Sequence, residues 1–422
     1  MQEDLLHYLW KFRKFAISEL KTTQHETLAV EAVGQHNHDS GPDFFNAKVR
    51  IGEQLWAGNV EIHVKSSDWF LHGHEKDPAY DNVILHVVFE HDTDIFRNDN
   101  SAIPTLELKN VIPNGIMNNY QRLMGNANSW IYCEKQFAEV DDFIIQHWLE
   151  GLYFERLKRK SEVIDDLLVQ SKNNWEAVLF KLLAKYTGLK VNGDAFFSMA
   201  SSFDFAILRK NQKSLPRLEA LFFGQMGLLE GEEPNAYFKS LKAEYRFLQQ
   251  KFQLDNSHVI PPKFFRLRPP NFPTIRLSQL AHLYHQKQQV FSEVIALRTL
   301  EDFYGYFDVS VSEFWKDHYT FQKQSKYSEK KLTKSFIDLL LVNVLIPLKF
   351  CHATHLGKSI DTEIIELISS IPSEANHIVK GFNNLKPVSQ SAMQSQALIE
   401  LKSNYCDKKA CLKCAIGSAL VY

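Results

Sequence analysis

The stretch that decides the fold is Gly58-Asn59-Val60-Glu61-Ile62-His63-Val64-Lys65, in which apolar and polar side chains alternate. This period of two predicts a β-strand whose successive side chains point to opposite faces of a sheet. We expect the three apolar residues to pack a core. We expect Glu61, His63 and Lys65 on the other face, where side chains of these types can do chemistry.

Further strands are predicted around this stretch, because short runs rich in Val and Ile alternate with Gly, Asn, Asp and Pro. The predicted strands are residues 28–33, 47–51, 55–64 and 82–89. Gly52-Glu53 is a hairpin signal between the second and the third. Helical spacing of apolar residues predicts an amphipathic helix over 3–20, ahead of the strands.

The pattern becomes helical after about residue 140. Helices are predicted over 141–171, 175–186, 236–252, 278–300 and 330–344. A chain of 422 residues exceeds the size at which single cores stop growing, so more than one domain is expected. The predicted fold class is α+β, with a mixed sheet and flanking helices in residues 1–135 and a mostly α-helical domain in 136–422.

Charge and composition limit the classes of function. Lys and Arg number 48 against 50 Asp and Glu, so any surface that binds nucleic acid must be local. We expect a cytoplasmic protein without a membrane partner, because the N-terminus lacks signal-peptide features and no apolar run reaches about 18 residues. Five cysteines, an odd number, do not suggest a disulfide framework. The oligomeric state is left open.

Asp43, in the turn Gly41-Pro42-Asp43, is expected to lie across the hairpin from Glu61. Two carboxylates are hard ligands suited to Mg²⁺ or Mn²⁺, and such a metal can activate water and neutralise charge on a phosphate. His63 or Lys65 is expected to assist as a base or a charge. The surrounding stretch is dense in ligand residue types, namely His36, His38, Asp39, Asp43, Glu61, His63, Asp68, His72, His74 and His86.

These residues resemble the PD-(D/E)xK, or restriction-endonuclease-like, superfamily. Pro42-Asp43 matches the first half of its motif, and Glu61-Ile62-His63 matches the second half with His where Lys is usual. The resemblance covers roughly residues 1–110 and includes the order of the helix and strands. It implies a nuclease-like core in which Lys65 could stand in for the missing lysine.

The whole chain also resembles an uncharacterised bacterial family of unknown function. The resemblance is carried by residues 58–69 with His72-Gly73-His74, by residues 268–276 and by the C-terminal cysteines. It implies no established activity.

The histidines leave other interpretations open. His72 and His74 form a pair at positions i and i+2, as do His36 and His38, and such pairs can share a metal on one face of a strand. A cupin-like metal site with His63, His72, His74 and Glu61 as ligands is therefore one alternative. A half-exposed strand with a solvated polar face, and histidines that only form hydrogen bonds, is another.

A basic stretch in the helical region is the predicted nucleic-acid-binding segment. No Asp or Glu occurs between residues 256 and 292, and phenylalanines are interleaved with the cations. Cations beside aromatic rings suit phosphate contact and base stacking. The candidate contacts are Lys263, Arg266, Arg268 and Arg276. The alternative is a solvated connection that its phenylalanines anchor to the core.

Cys406-x4-Cys411-x2-Cys414 is a second candidate metal site, for zinc or an iron–sulfur cluster. Three thiolates need a fourth ligand, and the candidates are Cys133, Cys351, His352 and His355. Some nucleases of the superfamily that the chain resembles carry an iron–sulfur cluster closed by cysteines near the chain end, with other spacings. The alternative is three buried or free thiols that pack as small apolar residues.

Together these observations favour a nuclease-like protein that uses Mg²⁺ or Mn²⁺ to act on nucleic-acid phosphodiesters. Whether it is an enzyme is left open. The alternative of another class is a non-catalytic, metal-stapled protein that binds nucleic acid or acts as a scaffold.

Overall fold

The computed structural model describes residues 3–126, 128–232 and 234–422, which form two compact units. The first, here called the sheet unit, consists of Met1–Trp148 and Leu401–Tyr422. The second, the helical unit, is Leu149–Glu400. The sequence predicted a boundary near residue 135 and placed the C-terminal cysteines with the helices. The division differs because the chain returns to the sheet unit after residue 400.

The described strands lie near the N-terminus and the helices follow. The strands are β1 (Leu28–Ala32), β2 (Gln35–His36), β3 (Phe44–Ile51), β4 (Gln54–Lys65), β5 (Val83–Glu90) and β6 (Thr105–Glu107). The helices are α1 (Glu3–Lys11), α2 (Asp68–Leu71), α3 (Asn114–Met124), α4 (Asp142–Gln170), α5 (Trp175–Thr187), α6 (Leu189–Ser201), α7 (Phe205–Asn211), α8 (Leu215–Gln225), α9 (Ala236–Phe252), α10 (Pro273–Gln286), α11 (Val290–Ala296), α12 (Leu300–Tyr306), α13 (Glu313–Lys316), α14 (Lys334–Leu340), α15 (Ile346–His355), α16 (Asp361–Ser370), α17 (His377–Leu385), α18 (Ala392–Leu401) and α19 (Ala415–Val421).

The sheet is mixed, and its strand order is β1-β3-β4-β5-β6, with β2 paired to β3. The β1–β3 and β3–β4 pairs are antiparallel, whereas the β4–β5 and β5–β6 pairs are parallel. The Gly52-Glu53 turn joins β3 to β4, and Gly52 has a φ of 60°, in the region that glycine enters without strain. The α+β prediction of an N-terminal mixed sheet and a mostly helical remainder is confirmed.

Both faces of the central strands are buried. On one face Val60 and Ile62 pack into a core with residues of α1, such as Leu5 and Trp10. A smaller cluster, built around Trp69, lies beside the opposite face. The alternative of a solvated polar face is therefore wrong, because the short segments between β4 and β5 cover the face that carries Glu61 and His63.

Two predicted helices have different bounds in the structure. The helix predicted over 3–20 ends at Lys11, and Arg13 has a left-handed φ of 50° that turns the chain away. The helix predicted over 278–300 begins earlier, at Pro273, ends at Gln286 and is followed by the separate helices α11 and α12. In both cases an apolar period continues past the true helix end, because residues outside the helix also pack in the core.

A helical stretch over Lys334–His355 includes a π-helical turn at Leu341–Leu345. By length and composition alone this stretch could cross a membrane, and 72% of its most apolar window is buried inside the protein. The core helix of a globular protein has the same length and composition.

Candidate functional site

The histidine–carboxylate site is defined here as Asp43, Glu61, His63, His72 and His74. Asp43 directly precedes β3, Glu61 and His63 lie in the C-terminal half of β4, and His72 and His74 follow α2. Asp43 and Glu61 are linked by two hydrogen bonds from backbone N–H groups to their carboxylates. The Asp43 N–H donates to Glu61 Oε2 at 3.1 Å, and the Ile62 N–H donates to Asp43 Oδ2 at 2.9 Å. This reciprocal pair fixes both carboxylates across the hairpin.

Two imidazoles lie beside the second oxygen of Glu61, and a third lies beside one of them. Its Oε1 lies 3.3 Å from His74 Nε2 and 3.6 Å from His63 Nε2, and His63 Nε2 lies 3.1 Å from His72 Nδ1. Donor atoms of the three histidines all lie within 4.8 Å of one another. His72 and His74 reach this position because the left-handed Gly73, with a φ of 75°, turns the chain between α2 and a short 3₁₀ helix.

His63 is held in a fixed and uncharged state. Its Nδ1 is hydrogen-bonded to His86 Nε2 at 2.8 Å, and both rings are fully buried. Burial, the largest cause, and the neighbouring His74 and His72 together lower the pKa of His63 to about 3. Burial also places the pKa of His86 well below its ordinary value. Both rings are therefore neutral at pH 7, and neutral imidazole nitrogens can bind a metal or accept a proton.

Glu61 is buried too, with 5% of its surface exposed. Burial raises its pKa, the Asp43 charge raises it further, and the hydrogen bond from His74 opposes both. Tyr80 stacks on His74 at 3.8 Å between ring centroids. Burial and the charges of Glu61 and Asp43 raise the Tyr80 pKa to about 12. The buried carboxylate of Glu61 and the partly buried carboxylate of Asp43 lie close together, and a cation would relieve the repulsion between their charges.

Two residues of α1 join the site, and the sequence predictions missed both. His7 Nε2 lies 3.3 Å from Asp43 Oδ2. Burial lowers the His7 pKa, but the hydrogen bond and charge of Asp43 outweigh it, so that the pKa is raised. Burial raises the pKa of Glu3, and the Asp43 charge adds to this effect. The signal that could have found them is their i, i+4 spacing on one helix face.

The remaining predicted members of the region lie farther from the centre. Lys65 is exposed at the end of β4, and its backbone N–H donates to Asp68 Oδ2 at 2.9 Å. The His36 ring stacks on Phe44 and lies 4.4 Å from the His38 ring and 5.4 Å from the His7 ring, by centroids. The pair thus borders α1, not the group formed by His72 and His74.

The site offers a mixed set of donors to a metal. Carboxylate oxygens suit Mg²⁺ and Mn²⁺, whereas imidazole nitrogens suit Mn²⁺ and later transition metals better than Mg²⁺. The two adjacent carboxylates and the three convergent histidines fit a divalent cation. The residues that would hold it are Asp43, Glu61, His63, His72 and His74.

The basic stretch of the helical unit is only partly accessible. Lys263, Arg266 and Arg268 are exposed, as is 78% of Phe265 between them. Arg276 is buried in α10, so its predicted role in binding nucleic acid is corrected. Its guanidinium donates to Asn271 Oδ1 and Gln279 Oε1 and lies 3.7 Å from the Phe336 ring centroid. Its charge is used inside the fold.

The C-terminal cysteines line one pocket of the sheet unit. Cys406, Cys411 and Cys414 share it with Cys133, one of the four candidates for the missing ligand. The other three candidates belong to the helical unit. There Cys351 and His355 contact Asp165, with His355 Nε2 at 2.7 Å and Cys351 Sγ at 3.4 Å from its Oδ1.

Fold and site together define a class of protein with a mixed α+β sheet unit that carries a histidine–carboxylate site, joined in sequence to a helical unit. The chain belongs to the DUF2851 family, described as a protein of unknown function, whose family model matches residues 3–377. The match ends before the three C-terminal cysteines. A search of curated proteins and a search of solved structures found no match.

Proposed function

We propose that the sheet unit is a restriction-endonuclease-like core that hydrolyses nucleic-acid phosphodiesters with a divalent metal. The observation that carries this proposal is the pair of hydrogen bonds that joins Asp43 to the β4 strand carrying Glu61. It brings together the two carboxylates of the motif. The order of a helix, three antiparallel strands, a short helix and a parallel strand supports it further.

The bound metal would supply an activated water and neutralise charge on the phosphate. Asp43 and Glu61 are the proposed ligands, with His72 and His74 beside them. His63 is neutral, so it cannot supply the positive charge of the usual lysine, and its low pKa makes it a weak base. Its neutral ring nitrogen can instead bind the metal. We assign the missing positive charge to His7, whose raised pKa favours the protonated form.

The helical unit is proposed to contribute nucleic-acid binding. Lys263, Arg266 and Arg268 are exposed cations, and the exposed ring of Phe265 is a surface on which a base can stack. Phosphate contacts of this kind position the substrate without reading its sequence.

The test is cleavage of labelled single- and double-stranded DNA and RNA by the full chain with Mg²⁺ or Mn²⁺. Glu61→Gln is expected to abolish metal-dependent cleavage and to leave the melting temperature nearly unchanged. Glu53→Gln, in the exposed β3–β4 turn, is the matched control and should cleave like the wild type. Cleavage that survives Glu61→Gln would contradict the proposal.

A second candidate is a histidine metal centre without nuclease activity, and the convergence of His63, His72 and His74 beside Glu61 favours it. This is the ligand set of the cupin-like alternative. A cupin has two antiparallel sheets, whereas β4, β5 and β6 run parallel, so only the ligands carry over. Tight binding of Mn²⁺, Zn²⁺ or Fe²⁺ without cleavage of any of the four substrates would favour this candidate.

A further inference from the structure

One cysteine and a group of three cysteines more than 250 residues later meet in the sheet unit. Cys133 precedes α4, whereas Cys406, Cys411 and Cys414 follow α18. All four line one pocket, and their thiols are close enough to influence one another electrostatically. The fifth cysteine, Cys351, belongs to the helical unit.

We propose that Cys133, Cys406, Cys411 and Cys414 bind one structural Zn²⁺ ion as a tetrathiolate. The site is separate from the histidine–carboxylate site and does not depend on the proposed function. Four cysteines are a standard ligand set of closed structural zinc sites.

The backbone around Cys411 and Cys414 is already shaped as a tight chelating turn. The Cys414 N–H donates to the Cys411 carbonyl at 3.2 Å. Gly417 passes so close that a Cβ there would lie 2.2 Å from the same carbonyl oxygen. The backbone N–H groups of Gly417 and Ile416 also favour the thiolate of Cys414, against the burial that raises its pKa.

Burial disfavours the charged form of all four thiols. It raises the pKa of Cys133 and of Cys411 to about 12, and it raises those of Cys406 and Cys414 as well. A zinc ion would displace the protons, because thiolate ligands bind in the deprotonated form.

The pocket among the cysteines is small. Its cavity has a volume of about 20 Å³, which is room for about one water-sized sphere. This size favours a single zinc ion over a cluster of several iron and sulfide atoms. Among the described residues, the groups of three possible ligands whose ligand atoms all lie within 4.8 Å of one another are His63–His72–His74 and Asp165–Cys351–His355. The four cysteines do not form such a group. Zinc binding must therefore draw the four thiols closer by side-chain rotation.

The bound zinc ion is expected to cross-link the C-terminal segment to the rest of the sheet unit. Cys411 and Cys133 both pack at the edge of its main core. A bond through the metal closes a loop of more than 250 residues, and closing a long loop restricts the unfolded chain strongly.

The experiment is elemental analysis of the purified full chain, carried out in a His72→Gln, His74→Gln background so that zinc at the other site is not counted. One zinc per chain is expected in this background and with added Cys351→Ser, the matched control. Cys133→Ser and Cys411→Ser are each expected to lose it. Substitution by Co²⁺ should give the visible absorption of tetrahedral thiolate coordination.

A second measurement applies if the cysteine variants fail to fold. A mercurial reagent is added to the background protein with all its cysteines present, and the release of zinc is followed as the thiols react. One zinc released as four thiols react is the expected result. Full zinc content in Cys133→Ser, absence of zinc, or iron with acid-labile sulfide in its place would each overturn the single-ion tetrathiolate.

Discussion

At the scale of single residues, His86 orients His63 without facing the carboxylates. His63 uses Nδ1 for the bond to His86, so its Nε2 points at Glu61 and His72. Outer partners of this kind fix the orientation of metal-binding imidazoles.

His86→Leu is therefore expected to weaken Mn²⁺ binding about 10- to 100-fold, because His63 loses the partner that orients it. Isothermal titration of the full chain with Mn²⁺ measures the change. His25→Asn is the control: His25 is exposed in a turn with a φ of 66°, a conformation that Asn tolerates. Equal affinity in wild type and His86→Leu would show that His86 only fills space.

A second residue of consequence is Lys160 in the helical unit. Its Nζ donates to both the backbone oxygen and Oδ1 of Asn343 at 3.1 Å, and it lies 5.3 Å from the Tyr186 ring centroid. Burial, the largest cause, and the nearby charges of Arg156 and Arg159 together lower its pKa to about 7. In the unfolded chain the pKa of a lysine is about 10.4.

Between pH 7 and about 10 the unfolded chain thus holds more protons at Lys160 than the folded protein, so its contribution to the free energy of unfolding rises with pH. The slope approaches about 1.4 kcal/mol per pH unit. We expect Lys160→Met to lose this part of the pH dependence. Urea denaturation at pH 7, 8 and 9 measures it, with exposed Lys158→Met as control. Parallel stability curves for wild type and Lys160→Met would contradict the assigned pKa.

At the scale of elements, Gly58 lets β4 approach β5. A Cβ at Gly58 would lie 2.4 Å from Ile84 Cγ2 and 2.7 Å from the Asn82 carbonyl oxygen. The backbone oxygen cannot move aside without disturbing the parallel pair that positions Glu61 and His63.

We expect Gly58→Ala to lower the free energy of unfolding of the sheet unit by about 1–3 kcal/mol, as in other overpacked sites. Gly115→Ala, in α3 with no atom within 4 Å of the added Cβ, should leave stability unchanged or slightly higher. Thermal unfolding and amide exchange of β4 and β5 measure both. If Gly58→Ala melts like Gly115→Ala, the close approach of the strands is not a constraint.

The elements also show what the sequence could predict. The ends of the strand that carries Glu61, and of the hairpin strand before it, were predicted to within a few residues. The alternation of side chains and the Gly52 turn are local signals in the sequence. Short strands such as β6 carry no such signal, since they are defined by their neighbour in the sheet.

The site was only partly predictable for the same reason. The approach of Asp43 to Glu61 follows from a hairpin, which is local. His7 and Glu3 come from a helix that packs over the sheet, and Cys133 joins cysteines more than 250 residues away. Arg276 is of a residue type that often binds nucleic acid. In the structure, however, its guanidinium donates hydrogen bonds to Asn271 and Gln279 inside the protein. Packing between distant segments decides these cases.

At the scale of the whole molecule, residues 401–422 belong to the sheet unit. Tyr8 Oη and Ser418 Oγ are hydrogen-bonded at 2.6 Å, and Val421 is fully buried in the core that contains Leu5. Each buried side chain of this size contributes about 1.5–3 kcal/mol.

Deletion of residues 401–422 is therefore expected to unfold or loosen residues 3–148 and to leave 149–400 protected. Hydrogen exchange read by mass spectrometry resolves the two units. Val421→Ala should give a smaller loss of protection in the same unit. Exchange that increases mainly in the helical unit would contradict the division of the chain into these units.

The discontinuity of the sheet unit also sets the order in which a newly made chain can mature. Ribosomes add about 5–20 residues per second, so residues 401–422 are made roughly 10 to 50 s after Trp148. During that interval the nascent chain carries Asp43 and Glu61 on a core that lacks Val421, while the helical unit is already being made. The unit that emerges first is thus the last to be completed, because its core closes only after residues 401–422 have been made.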